Sequence, residues 1–132
     1  MVPGAGILVV EDNYLVAAAT SNGLRDSGFE VVGIAESAAE AIVLAGEVRP
    51  MLILMDVRLA GERDGIDAGL EIFRSLGIRC IFATAYSDVE SRSRAEPARP
   101  LGWLPKPYAM PAVIAAVADA VAELRADAQA TG

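Results

Sequence analysis

The chain contains no histidine. That excludes Ser-His-Asp triads, imidazole metal clusters and any phosphate carried on a histidine of its own. It has one cysteine, Cys80, so no internal disulfide can form. The apolar run around it, Cys80-Ile81-Phe82-Ala83, marks a small buried hydrophobe. Basic residues are scarce, 11 against 18 acidic, giving a formal net charge of −7. A nucleic-acid groove needs clustered Lys and Arg, so direct DNA or RNA binding is not expected. Long hydrophobic runs are missing as well. The most apolar stretches, residues 51–55 and 112–118, fall far short of the roughly 18 residues of a membrane span. The opening Met1-Val2-Pro3-Gly4-Ala5-Gly6 lacks the basic-then-apolar order of a secretory signal. A cytoplasmic protein without a membrane segment is expected.

At 132 residues, with 54% hydrophobic content, the chain has the size and apolar material for one domain with one substantial core. The core is expected over about residues 7–125, with flexible ends at 1–5 and 127–132. Apolar runs rich in β-branched residues alternate with segments of helical period, the signature of a parallel sheet covered by helices. Strands are expected at 7–10, 30–35, 51–55, 79–83 and 102–104, and helices at 14–27, 37–48, 65–76, 87–95 and 110–126. Gly28 ends the first helix, Ser37 caps the second with Glu40 three residues on, and Pro50 stops it. The run 51–55 shows no alternation, as suits a central strand buried on both faces. Pro97 and Pro100 force an irregular approach to the last strand. Five βα units in this length fit an α/β fold of flavodoxin-like type, a doubly wound (βα)5 with a five-stranded parallel sheet in the order 2-1-3-4-5.

That order places the ends of strands one and three side by side at the crevice where ligands bind. Glu11-Asp12 follows the first strand and Asp56 the third, while Thr84 follows the fourth and Lys106-Pro107 the fifth. Three converging carboxylates repel one another unless a cation compensates them. Mg²⁺ suits such a set, because it prefers oxygen ligands and commonly bridges one or two carboxylates to phosphate oxygens. Asp56, following the most buried strand, is the best candidate nucleophile toward phosphorus, with Lys106 and Thr84 as partners for phosphoryl oxygens. Taken singly, each has an ordinary explanation. Glu11, Asp12 and Asn13 are turn formers, with Asp12 or Asn13 capping the first helix; Lys106 reads as a solvated lysine and Thr84 as a strand-end residue.

Together, in this order and spacing, these residues make the chain resemble the receiver (response-regulator) domain family of two-component signalling, over about residues 7–124. The resemblance implies that Glu11, Asp12, Asp56 and the backbone carbonyl of Arg58 bind Mg²⁺ or Mn²⁺. It implies that Asp56 is the phosphoacceptor, and that Thr84 and Lys106 hold the transferred group. Trp103 corresponds to the family's switch aromatic, Arg58 and Tyr86 to rim positions that tune phosphoryl lifetime, and the Lys106-Pro107 peptide to one that is often cis. The implied partners are a sensor histidine kinase or a histidine phosphotransfer protein and a downstream protein, with a homodimer as a further form. The chain would catalyse only its own phosphorylation and dephosphorylation.

The sequence departs from the family pattern in places. The stretch Val57-Arg58-Leu59-Ala60-Gly61-Glu62-Arg63 is one residue longer than in many receivers and has Ala60 where proline is common. Phe82-Ala83-Thr84-Ala85-Tyr86 resembles a Phe-Ala-Thr-Gly-x-Tyr signature of stand-alone stress regulators, with Ala85 for glycine and the tyrosine one residue early. Pro97, Pro100, Pro105 and Pro111 stiffen the segment 87–112, which is expected to recognise a partner in a phosphorylation-dependent way. Three other readings compete with this one. A phosphatase with an Asp nucleophile carries a second acid two residues on, where this chain has Arg58. A flavin protein on the same fold needs a Ser, Thr and Gly loop after the first strand, where this chain has Glu11-Asp12-Asn13. The third is a receiver-like interaction module that takes no phosphate. A stand-alone receiver and a domain cut from a longer regulator or hybrid kinase both fit.

Overall fold

The computed structural model describes residues 6–85 and 89–131. The expectations for residues 1–5, for Tyr86 and for the start of the fourth helix fall outside that range. Strand β1 (Ile7–Val10) leads into α1 (Tyr14–Asp26), β2 (Val31–Ala35), α2 (Ala38–Val48) and β3 (Leu52–Asp56). Helix α3 (Gly65–Leu76), β4 (Arg79–Thr84), α4 (Val89–Ala95), a short 3-10 turn (Glu96–Ala98), β5 (Gly102–Pro105) and α5 (Met110–Thr131) follow. All strand pairs are parallel, and the order is β2-β1-β3-β4-β5, so the doubly wound sheet expected from the sequence is the fold.

Alternating strand residues feed two cores, one on each face of the sheet. Leu8, Val10, Ile53, Met55, Cys80 and Phe82 meet α2, α3 and the buried Ala95 of α4 on one face. Ile7, Val9, Leu52, Leu54, Ile81 and Ala83 meet α1 and α5 on the other. Every residue of β3 and β4 is buried, which explains their unbroken apolar runs. Burial pushes the Cys80 thiol up to about 12, so it stays protonated and inert.

The helix ends follow the local chemistry. Asn13 caps α1, its side chain accepting from the N–H groups of Leu15 and Val16 at 3.0 and 3.2 Å. Ser37 caps α2, while the Glu40 carboxylate reaches back to the Glu36 N–H at 2.9 Å. Asp64 and Asp67 form a reciprocal capping box at the start of α3. Gly65, just inside that box, lies so close to the Asp56 carbonyl that any side chain there would collide with it.

Several boundaries differ from the sequence reading, each for a local reason. Helix α4 ends at Ala95, as expected, and Pro97 lies in the 3-10 turn that follows it. Helix α5, expected to stop at residue 126, runs on to Thr131. Its last turns are tied to the sheet by buried Arg79, which donates to Glu123 at 2.7 Å, to Asp127 at 3.3 Å and to the Arg99 carbonyl at 2.6 Å. Strands β3, β4 and β5 each extend one residue beyond expectation, so Asp56 and Thr84 are the last residues of their strands. Among the described residues, no helix is long and apolar enough to cross a membrane.

Candidate functional site

The sheet order makes β1 and β3 neighbours, with Val10 paired to Met55. The next residues on each strand path, Glu11 and Asp56, therefore emerge together at the C-terminal edge. Both are buried, whereas Asp12 is exposed. One carboxylate oxygen from each of Glu11, Asp12 and Asp56 lies within 4.8 Å of the others. They open onto a cavity of about 320 Å³, whose wall also includes Asn13, Arg58, Ala85 and Lys106.

Lys106 enters this cluster from the end of β5. Its ammonium donates to Glu11 Oε1 at 3.0 Å and to Asp56 Oδ2 at 3.2 Å. Two backbone N–H groups serve the remaining oxygens, Asn13 on Glu11 Oε2 at 3.1 Å and Arg58 on Asp56 Oδ1 at 3.2 Å. The arrangement answers the cost of burying two acids, since each keeps a charged partner and a backbone donor. Burial, and next the Glu11 carboxylate, push the Asp56 carboxyl up to about 7, against the pull of Lys106. Burial also opposes ionisation of Glu11, but the Asn13 N–H, Lys106 and Asp56 outweigh it and hold this carboxyl below its usual value. Lys106 sits above its usual value, because its bonds to Glu11 and the Asp56 charge overcome partial burial. Of the two buried acids, Asp56 is thus the one whose protonated form is favoured.

The donor set is entirely oxygen, from three converging acids, which fits a hard divalent cation such as Mg²⁺ or Mn²⁺ and offers nothing to a soft one.

The other candidate residues surround this centre at different removes. Thr84 is buried at the end of β4, its carbonyl accepting from the Lys106 N–H at 2.9 Å, and the next residue, Ala85, lines the cavity. The Lys106-Pro107 peptide is cis. The loop carrying Arg58 closes on itself, with the Val57 N–H bonded to the Ala83 carbonyl at 2.9 Å and the Gly65 N–H bonded to the Val57 carbonyl at 2.8 Å. Trp103 stands apart from the cavity, stacked on Phe82 with centroids 5.2 Å apart and covered by the Arg92 guanidinium 5.0 Å from its ring.

Two contacts here had no sequence signal. The Tyr108 hydroxyl lies 3.3 Å from the Thr20 hydroxyl, tying the turn after Pro107 to α1 across 88 residues. Arg94 reaches Asp64 and Asp67 at the start of α3 across 30 and 27 residues. Neither pairing follows a local period, so only the fold reveals it.

With this geometry in view, the model of the response regulator receiver domain matches residues 7–118. The chain is a member of that family. As a receiver it belongs to two-component signalling. It is 35% identical over 119 residues to the transcriptional regulatory protein PdtaR of Mycobacterium tuberculosis, a match covering 90% of this chain and 58% of that protein. The chain therefore spans little more than half the length of that relative. It is 31% identical over 114 residues to the chemotaxis protein CheY of Halobacterium salinarum, covering 86% of this chain and 93% of CheY. Among solved structures, the signal receiver domain of a modulated diguanylate cyclase from Desulfovibrio desulfuricans G20 superposes with a TM-score of 0.83 at 31% identity, covering 92% of this receiver and 97% of that chain.

Proposed function

We propose that this receiver accepts a phosphoryl group on Asp56 from a phosphohistidine of a partner protein, and that the phosphorylated form changes its binding to a downstream protein. The observation that carries this reading is the Lys106 ammonium held 3.0 and 3.2 Å from two buried acids that share a cavity with a third. Glu11, Asp12, Asp56 and the Arg58 carbonyl would hold Mg²⁺ or Mn²⁺. Such an ion supplies positive charge opposite the phosphoryl oxygens.

The chain's own groups do the rest. An Asp56 carboxylate oxygen forms a bond to phosphorus while the P–N bond to the partner's imidazole breaks, and that imidazole nitrogen takes up a proton. The Arg58 N–H on Oδ1 fixes the rotation of the Asp56 carboxylate, so the attacking oxygen is presented in one orientation. Lys106 then trades its bond to Asp56 for one to a phosphoryl oxygen, and the Thr84 hydroxyl donates to another. Arg58 and Tyr86 set how fast water removes the group. Tyr14 and Leu15, 74% and 76% exposed at the start of α1 beside the acids, offer an apolar rim on which a kinase or phosphotransfer protein docks. The setting is the cytoplasm, and catalysis is confined to the chain's own phosphorylation and dephosphorylation.

Incubation with acetyl phosphate and Mg²⁺ tests the reading by intact mass. The expected result is one phosphoryl adduct, labile to base and hydroxylamine, which Asp56→Asn abolishes. Failure of the wild type to form it would overturn the proposal in favour of an interaction module that takes no phosphate.

A further inference from the structure

Helix α4 is attached to the body by unusual means. Among its described residues, Val89–Ala95, only Ala95 is buried. Two of its arginines reach neighbouring elements. Arg92 lies over the ring of Trp103 on β5, and Arg94 forms a fork on the start of α3. Arg94 Nη1 donates to Asp64 Oδ2 at 3.0 Å, and Nη2 donates to Asp64 Oδ1 at 3.3 Å and to Asp67 Oδ1 at 3.0 Å.

Those two carboxylates have a second duty. Asp64 accepts from the Asp67 N–H at 2.9 Å, and Asp67 accepts from the Asp64 N–H at 3.1 Å, which closes the capping box of α3. The residue after Asp64 donates its N–H to the Val57 carbonyl, closing the loop that begins at the acceptor aspartate and carries Arg58. Arg94 thus grips the loop at its exit, one residue from its closing bond, while the Arg58 N–H engages the Asp56 carboxylate at its entrance.

We propose that Arg94 is a positioning residue that couples the docking of α4 to cation binding at the Glu11, Asp12 and Asp56 site, by fixing the loop that presents Arg58. This rests on the phosphoacceptor reading given above. The physical chain is short and contiguous, from α4 through Asp64 and the closed loop to Asp56. Coupling of this kind is reciprocal: if docked α4 favours the loop shape that binds the cation, the bound cation holds α4 down by the same factor. Arg94, Asp64 and Asp67 have side chains 40%, 32% and 39% exposed, so water and salt weaken the grip. It is strong enough to bias α4 and weak enough to release it.

Calorimetric titration of the full chain with MgCl₂, together with amide exchange over residues 89–95, tests this in the wild type, Arg94→Ala and Arg94→Lys. Arg94→Ala should weaken Mg²⁺ binding by about three- to fivefold, the ceiling for an ion pair this exposed, and should speed α4 exchange to match. Arg94→Lys keeps the charge without the planar fork and should fall between the two. Raising NaCl to about 0.5 M should shrink the difference between wild type and Arg94→Ala, as screening predicts. Faster α4 exchange with unchanged Mg²⁺ affinity overturns the coupling and leaves a purely structural contact. An acetyl phosphate adduct of equal yield on wild type and Arg94→Ala, with equal Mg²⁺ affinity, overturns the coupling alone. Absence of the adduct on the wild type overturns the phosphoacceptor reading and the coupling with it.

Discussion

Helices α3 and α4 pack on the same face of the sheet but are held there by different physics. Over twelve residues, α3 buries Gly65, Ile66, Ala68, Gly69 and Ile72, and a capping box closes its start. Among its described residues, Val89–Ala95, α4 buries one alanine, and two arginine side chains reach Trp103 and the start of α3. Burying aliphatic side chains contributes about 1.5–3 kcal/mol each. A half-exposed ion pair or a surface cation–π contact contributes about 1 kcal/mol or less. The first helix therefore leaves its place only with the whole core, whereas a ligand-binding event of a few kcal/mol is enough to shift the second.

The largest test of that contrast is Ile72→Ala. The side chain is fully buried, so its truncation should cost about 3 kcal/mol of global stability and lower the melting temperature in calorimetry. A loss under about 1 kcal/mol would mean that α3 is not the anchor described here. Next in size is Arg92→Ala, which should leave global unfolding within about 0.5–1 kcal/mol of wild type. Its effect should appear instead as faster amide exchange confined to α4. Spreading of that exchange into α3 would erase the distinction between the helices.

The smallest effect is set by pH. Burial opposes ionisation of Asp64, but Arg94 and then the Asp67 N–H outweigh it and hold the carboxyl below its usual value of 3.8. A depressed folded value means that the stabilisation is complete above the unfolded value and is lost as pH falls through the lower one. With Mg²⁺ saturating the Glu11, Asp12 and Asp56 site, amide shifts of residues 89–95 should therefore stay flat from neutrality down to about pH 4 and move only below it. Arg94→Ala should remove that acid transition. A transition near neutrality in the wild type would point to a different group.

The sheet order, the five βα units and the convergence of Glu11, Asp12, Asp56 and Lys106 were legible in the sequence. They depend on period, on β-branched runs and on strand ends, all of which are local. What stayed hidden depends on pairs far apart in the chain. The length of α5 reflects Arg79 meeting Glu123 and Asp127 across 44 and 48 residues, which no helical period announces. The placement of Trp103 between Phe82 and Arg92 needs the β4 and β5 register together with the path of α4. Pro97 and Pro100 announce an irregular approach to β5, and the 3-10 turn after Ala95 is the form this takes. That Arg92 would lie over Trp103 and Arg94 would reach the start of α3 could not be seen from spacing alone.

The ammonium of Lys106 has one more consequence, which concerns valence. With Glu11, Asp12 and Asp56 all ionised, one lysine leaves the cluster with a net charge of −2. A single divalent ion is the complement. A monovalent ion would leave part of the repulsion between buried carboxylates in place, and a trivalent one would overshoot and hold an incoming anion too tightly to let it go. In a cluster that holds a cation, the lysine would act as a selector of ionic charge, working by subtraction and without contributing a ligand to the ion.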